Sequence, residues 1–139
     1  MCIKYRCGYK YQLAEDYTVQ TGIVRHKKTQ SMIVTEFITL FTDGMLLIRK
    51  GYAWDGASGP AIDTKNIIRG SLVHDALYQL LRQGNLDMSW REQADKDLKR
   101  ICLEDGMSKL RAWYVYKCVR GFARRAAMPK HKKKVYTAP

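Results

Sequence analysis

The sequence predicts an α+β fold: a small N-terminal antiparallel β-sheet packed on three helices, two of them forming an antiparallel pair. Two observations predict it. Over residues 1–50, β-branched and aromatic residues fall in short runs broken by turn signals, the composition of strands. Over residues 66–128 the apolar residues instead recur at three- and four-residue spacing, the period of helices with one buried face. A glycine-rich loop, 51–65, joins the two regions, so that 1–128 reads as a single α+β domain. The tail 129–139, with Lys130, Lys132, Lys133 and Lys134, is too polar to order by itself.

In the β region, Tyr5, Tyr9 and Tyr11, then Tyr17, Val19, Ile23 and Val24, are separated by turn signals at Glu15-Asp16 and Thr21-Gly22. Two apolar runs, Ser31 to Phe41 and Met45 to Ile48, flank Thr42-Asp43-Gly44. Asp-Gly between such runs is a strong hairpin signal, because glycine accepts the positive φ that tight turns need. The loop from Gly51 to Lys65 contains three glycines and Pro60. It serves either as a tight connection, with Asp55 and Ser58 bonding the turn, or as a place where backbone oxygens meet a ligand.

The first helix centres on Ser71-Leu72-Val73-His74-Asp75-Ala76-Leu77-Tyr78-Gln79-Leu80-Leu81-Arg82. Val73, Leu77, Leu80 and Leu81 form its apolar stripe; His74 borders that stripe and Tyr78, four residues on, shares its face. Asp75 points about 100° away from His74. In the second helix, Ser89 and Glu92 have the spacing of a capping box. Asp95, Leu98, Ile101 and Cys102 follow on one inward stripe. A short turn around Gln83-Gly84-Asn85 makes the pair antiparallel, so His74 and Asp95 become inward polar groups on facing surfaces. Burying them is costly unless each has a partner, and a carboxylate that orients a histidine is half of a general-base dyad. The same groups would equally serve as a buried network that fixes helix packing. The second helix ends at Gly106, a third is capped by Ser108, and Leu110, Trp113, Tyr114, Cys118 and Phe122 run down one side of it.

The run Gly51-Tyr52-Ala53-Trp54-Asp55-Gly56-Ala57-Ser58-Gly59-Pro60, followed by SLVHDALYQLLR and REQAD, resembles a family of small phage and bacterial proteins of unknown function. In that family a G-[FY]-x-x-D-x-A-S-x-P loop precedes H-D-x-L-Y; the likeness spans residues 37–122. Over 50–100, HDALY, a turn and ADKDL are also similar to the active-site helices of phospholipase A2, above all the viral-capsid type. This second resemblance implies His74, Asp95 and Tyr78 as catalytic residues and Ca²⁺ as cofactor. The Asp75 carboxylate and backbone carbonyls of the loop around Trp54, Asp55 and Gly56 would hold the ion, an all-oxygen set suited to a hard cation. The loop departs from those enzymes by lacking their glycine pattern and adding the carboxylate of Asp55. The implied activity is hydrolysis of a phospholipid ester by water activated on His74. The competing class is a non-catalytic phage virion or nucleic-acid-associated protein that keeps the helix pair as a structural network.

Composition narrows the remaining classes. With 46% apolar and 27% charged residues the chain is of globular type. No stretch of about 18 apolar residues is present and the polar start lacks a signal-peptide core, which leads us to expect host cytoplasm or a phage virion. Cys2, Cys7, Cys102 and Cys118 contain no C-x-x-C pair, so a zinc knuckle has no support. The net charge of +12 is uneven: residues 109–139 hold ten Lys and Arg and no acid, against fifteen basic and thirteen acidic residues before them. That segment suits a phospholipid or anionic membrane surface, or nucleic acid; other phage proteins are further candidate partners.

Overall fold

A computed structural model describes residues 5–6, 11–26, 28, 30–56 and 64–128. The expected tail, 129–139, and Ala57 to Pro60 of the loop lie outside these residues, as do Tyr9, Cys2 and Cys7. The α+β class holds, with every strand antiparallel to its neighbours. The strands are β1 (Tyr5–Arg6), β2 (Tyr11–Leu13), β3 (Tyr17–Gln20), β4 (Ile33–Val34), β5 (Ile38–Leu40), β6 (Met45–Ile48) and β7 (Ala53–Trp54).

They form two small sheets rather than the one expected, in the orders β1-β2-β7 and β3-β6-β5-β4. The division has a local cause. The chain bends at Glu15-Asp16 between β2 and β3, and again at Gly51 between β6 and β7. Gly51 adopts φ 96°, a conformation that favours glycine. The two bends face each other: the Asp16 carboxylate accepts from the Lys50 amide at 2.8 Å, and Leu13 and Tyr52 bond through their backbones at 2.8 Å. A ribbon that would otherwise run straight is thus broken into two. The predicted hairpin lies between β5 and β6, where Gly44 has φ 92° and the Met45 amide donates to Asp43.

Helix α1 (Lys65–Arg82) is the hub. It begins before Ser71, because Ile67 and Ile68 are also buried. Gly70 inside it allows close approach of α1 to the next helix: a Cβ would stand 3.0 Å from Cys102 Sγ and Leu98 Cδ1. Leu72, Val73, Ala76, Leu77, Leu80 and Leu81 join Leu13, Val19, Ile38, Leu40, Leu46 and Ile48 of the sheets in one core. Gly84, at φ 77°, closes the helix through backbone bonds Gly84 to Leu81 and Asn85 to Leu80.

Helix α2 (Arg91–Glu104) follows a short 3₁₀ turn, Met88–Trp90. Here the expected capping box fails. The side chain that caps is Asp87, accepting from the Ser89 amide at 2.8 Å, and Glu92 pairs with Lys96 at 3.5 Å instead. The C-terminal signal is met, since Gly106 has φ 94° and its amide bonds Leu103 while Met107 bonds Cys102. Helix α3 (Lys109–Phe122) is capped by Ser108, which accepts from the Arg111 amide at 3.3 Å. Of the expected stripe only part turns inward, and the Phe122 side chain lies outside the described residues. Ala112, Val115 and Cys118 are buried, whereas Leu110, Trp113 and Tyr114 are exposed. A fourth short helix, α4 (Arg124–Ala127), packs against α1. Among the described residues no helix is long and apolar enough to cross a membrane.

Candidate functional site

Three helices converge on one carboxylate. Asp95, in the second turn of α2, has no exposed surface. Its Oδ1 lies 2.7 Å from His74 Nε2 and accepts the Tyr78 hydroxyl proton at 2.6 Å. Its Oδ2 accepts from Arg120 Nη1 of α3 at 2.9 Å. Because the carboxylate is ionised, Nε2 is the protonated nitrogen of His74. The stacking of residues four apart on α1 brings the rings of His74 and Tyr78 to 4.1 Å between centroids. Behind them Arg91 Nε donates to the Tyr78 hydroxyl at 3.1 Å, and its Nη2 caps the Val119 and Arg120 carbonyls at the end of α3.

The electrostatics follow from these contacts. Burial alone would push the Asp95 carboxyl up. The hydrogen bonds from His74, Tyr78 and Arg120 outweigh burial and hold it below the usual carboxylate range. Tyr78 is pushed well above an ordinary phenol, first by burial and then by the bond to Asp95 and its charge. It therefore remains a neutral donor, and Asp95 remains a permanent anion at neutral pH.

His74 is 7% exposed, and what it exposes faces a cavity of about 320 Å³. Asp75, Tyr78, Gln79 and Arg82 line that cavity from α1; Tyr52, Trp54, Asp55 and Gly56 line it from β7 and its flanks; and Ala123 lines it at the end of α3. Asp75 thus shares a space with Trp54, Asp55 and Gly56, while the rest of the loop through Pro60 lies outside the described residues. The Trp54 indole is committed elsewhere: it donates to Ser71 Oγ at 3.1 Å and packs 5.4 Å from Tyr11. Burial raises the Tyr52 phenol far above its ordinary value; the Asp75 charge adds to this, and that of Arg82 opposes it.

The lining beside Asp75 offers the carboxylates of Asp75 and Asp55 and no sulfur ligand, with His74, Gln79 and the cationic Arg82 sharing the same wall. That chemistry fits a hard cation and not a thiophilic metal. Among the described residues no three His, Cys, Asp or Glu gather to hold a metal, so carbonyls and water would complete any such shell. Cys102 takes no part; it is buried and its thiol is pushed up to about 12, mainly by burial.

Of the residues singled out in the sequence, the structure brings His74, Tyr78 and Asp95 into direct contact, and Asp75, Trp54, Asp55 and Gly56 around the adjoining cavity. Arg91, Arg120, Tyr52, Gln79 and Arg82 were not singled out. Arg91 carried a signal, standing one turn before Asp95 on α2. Arg120 carried none, since its role depends on how α3 crosses the pair.

In comparison with known proteins, a family described as a protein of unknown function, DUF1353, matches residues 32–119, from the start of the β4 region almost to the end of α3. No curated protein and no solved structure matches the chain.

Proposed function

The chain belongs to the DUF1353 family, and we propose that it is a hydrolase of the phospholipase A2 type, acting on a phospholipid ester through water activated by His74. The observation that carries the reading is the 2.7 Å contact between His74 and a fully buried Asp95, made at the wall of a cavity. With Nε2 held by Asp95, Nδ1 is the nitrogen left to meet a water. In this mechanism Nδ1 takes a proton from water as the oxygen attacks the ester carbonyl. Asp95 holds the ring in one tautomer and stabilises the imidazolium that forms. Tyr78 fixes the Asp95 oxygen that faces the ring, and Arg120 fixes the other. The imidazolium then returns its proton to the departing alkoxide, restoring the starting state. Asp75 and Asp55, with carbonyls of Trp54 and Gly56, would hold Ca²⁺, and its positive charge would supply stabilisation of the developing oxyanion.

His74→Ala is expected to reduce hydrolysis of a short-chain phospholipid in Ca²⁺ by about a hundredfold or more, with the circular dichroism spectrum unchanged. Asp75→Asn should remove activity and Ca²⁺ dependence together. Retained hydrolysis in His74→Ala would falsify the proposal, as would an inert wild-type protein.

One observation favours a second reading. Arg91 and Arg120 tie the end of α3 to Tyr78 and Asp95, so the same cluster braces three helices. On that reading the protein is a non-catalytic structural or nucleic-acid-associated component, and His74→Ala lowers the melting temperature of a protein that never hydrolysed lipid.

A further inference from the structure

The outer face of α3 presents Leu110, Trp113 and Tyr114 to solvent at 77%, 49% and 48% exposure. Before the α2–α3 turn, Leu103 adds a further apolar side chain at 38%. We propose that this face docks the protein on an anionic lipid surface. The occupant is chosen by chemistry. Residues 109–128 hold six Lys and Arg and no acidic residue. Lys109 and Lys117 flank the apolar side chains, both exposed, and Lys117 Nζ stands 5.9 Å over the Trp113 ring. A leucine most of whose surface is wet gains on entering hydrocarbon, and Trp and Tyr, apolar bodies with polar tips, suit the boundary between acyl chains and headgroups. The ammonium groups beside them meet lipid phosphates.

Nucleic acid fits this face less well. Arginine is the residue that forks onto phosphates, and the two arginines within α3 turn inward: Arg111 donates to Thr64 and Arg120 to Asp95. An aliphatic Leu110 at the centre of contact gains nothing from a sugar-phosphate backbone. The docking inference does not require the protein to be a hydrolase.

The test is sedimentation of the full chain with vesicles of phosphatidylcholine containing phosphatidylserine, and with phosphatidylcholine alone. The wild-type protein is expected to partition to the anionic vesicles, and Leu110→Asp and Trp113→Ala to lower that partition about tenfold each. An acid in the first turn of α3 suits the helix dipole, and thermal melts establish that Leu110→Asp stays folded. The double variant Lys109→Gln/Lys117→Gln should lose the preference for anionic over neutral vesicles. Partition unchanged in the Leu110 and Trp113 variants overturns the proposal and moves binding elsewhere in the chain. So does a wild-type protein that ignores vesicles and binds duplex DNA, or one whose self-association these variants abolish. None of these readouts depends on hydrolysis, so a failed docking and a failed catalytic reading remain separable.

Discussion

Two buried aspartates on α2, two residues apart, have opposite electrostatics. Asp95 meets His74, Tyr78 and Arg120, and these donors win over burial, so its carboxyl titrates below the ordinary range. Asp97 accepts the Gly22 amide at 3.1 and 3.2 Å and the Gln93 amide at 3.3 Å, with Arg100 at 3.7 Å. There burial wins and the carboxyl is raised. The linkage signs therefore differ. A depressed folded pKa gives stability that is present above the unfolded value, about 3.9, and is lost as pH falls through the folded one. A raised folded pKa gives stability complete below about 3.9 and lost as pH rises through the folded value. Asp95→Asn should then cost about 2–4 kcal/mol at neutral pH, where it leaves Arg120 facing a neutral amide, and its deficit should shrink on acidification below about pH 4. Asp97→Asn should change neutral-pH stability by about 1 kcal/mol or less, because an amide oxygen still accepts from Gly22, and should compare worst with the wild type at acid pH. Urea titrations across pH measure both. Parallel pH profiles for the two variants would refute the assignment.

At the scale of the element, α3 depends on its cap more than its neighbours do. Ser108 accepts from the Arg111 amide, and no acidic residue occupies the first turn. Ser108→Ala is expected to cost about 1 kcal/mol, read as a lower midpoint in thermal melts, with no change at His74. Such ends were legible in the sequence because a cap or turn is a local event: Ser108, Gly106 and Asp43-Gly44 each act within four residues. The approach of His74 to Asp95 was legible for a similar reason, since a short turn forces two stripes to face each other. The inward side of α3 was not. Its apolar residues occupy nearly every angle of the helix, so periodicity does not select one face. What selects it is size: Ala112 and Val115 are small enough to seat against Ile67, Leu98, Cys102 and Met107, and the bulkier Leu110, Trp113 and Tyr114 are turned out. The failed capping box at Ser89 is a competition between two nearby acceptors, which Asp87 wins. The break into two sheets arises from Asp16 and Lys50, far apart in the chain, whose meeting no local pattern announces.

On the scale of the whole molecule, the sheets and helices are joined by a buried cation remote from the His74 cavity. Arg69 of α1 donates to the Tyr17 hydroxyl of β3 at 2.8 Å, to both Asp105 oxygens at 3.0 and 3.2 Å, and to Glu104 at 2.8 Å. Burial works against its charge, yet the bonds to Asp105, Tyr17 and Glu104 prevail, so it stays a cation at any accessible pH. One guanidinium thus links β3, the start of α1 and the end of α2. Only a planar fork can satisfy these partners together; an ammonium is a single point. Arg69→Lys is therefore expected to lose about 2 kcal/mol and Arg69→Met about 3–5, because Met leaves a half-buried Asp105 without its partner. Arg100→Ala, which removes exposed contacts to Glu104 and the Gln20 carbonyl and a longer one, at 3.7 Å, to Asp97, should lose about 1 kcal/mol or less. Chemical denaturation followed by far-ultraviolet and near-ultraviolet dichroism measures all three. If Arg69 is the joint, the two signals coincide in the wild type and separate in Arg69→Met, as the sheet ribbon melts ahead of the helices. Coincident transitions in Arg69→Met, with a loss no larger than that of Arg100→Ala, would place the joint in the apolar core of Leu13, Leu46, Leu72 and Leu77 instead.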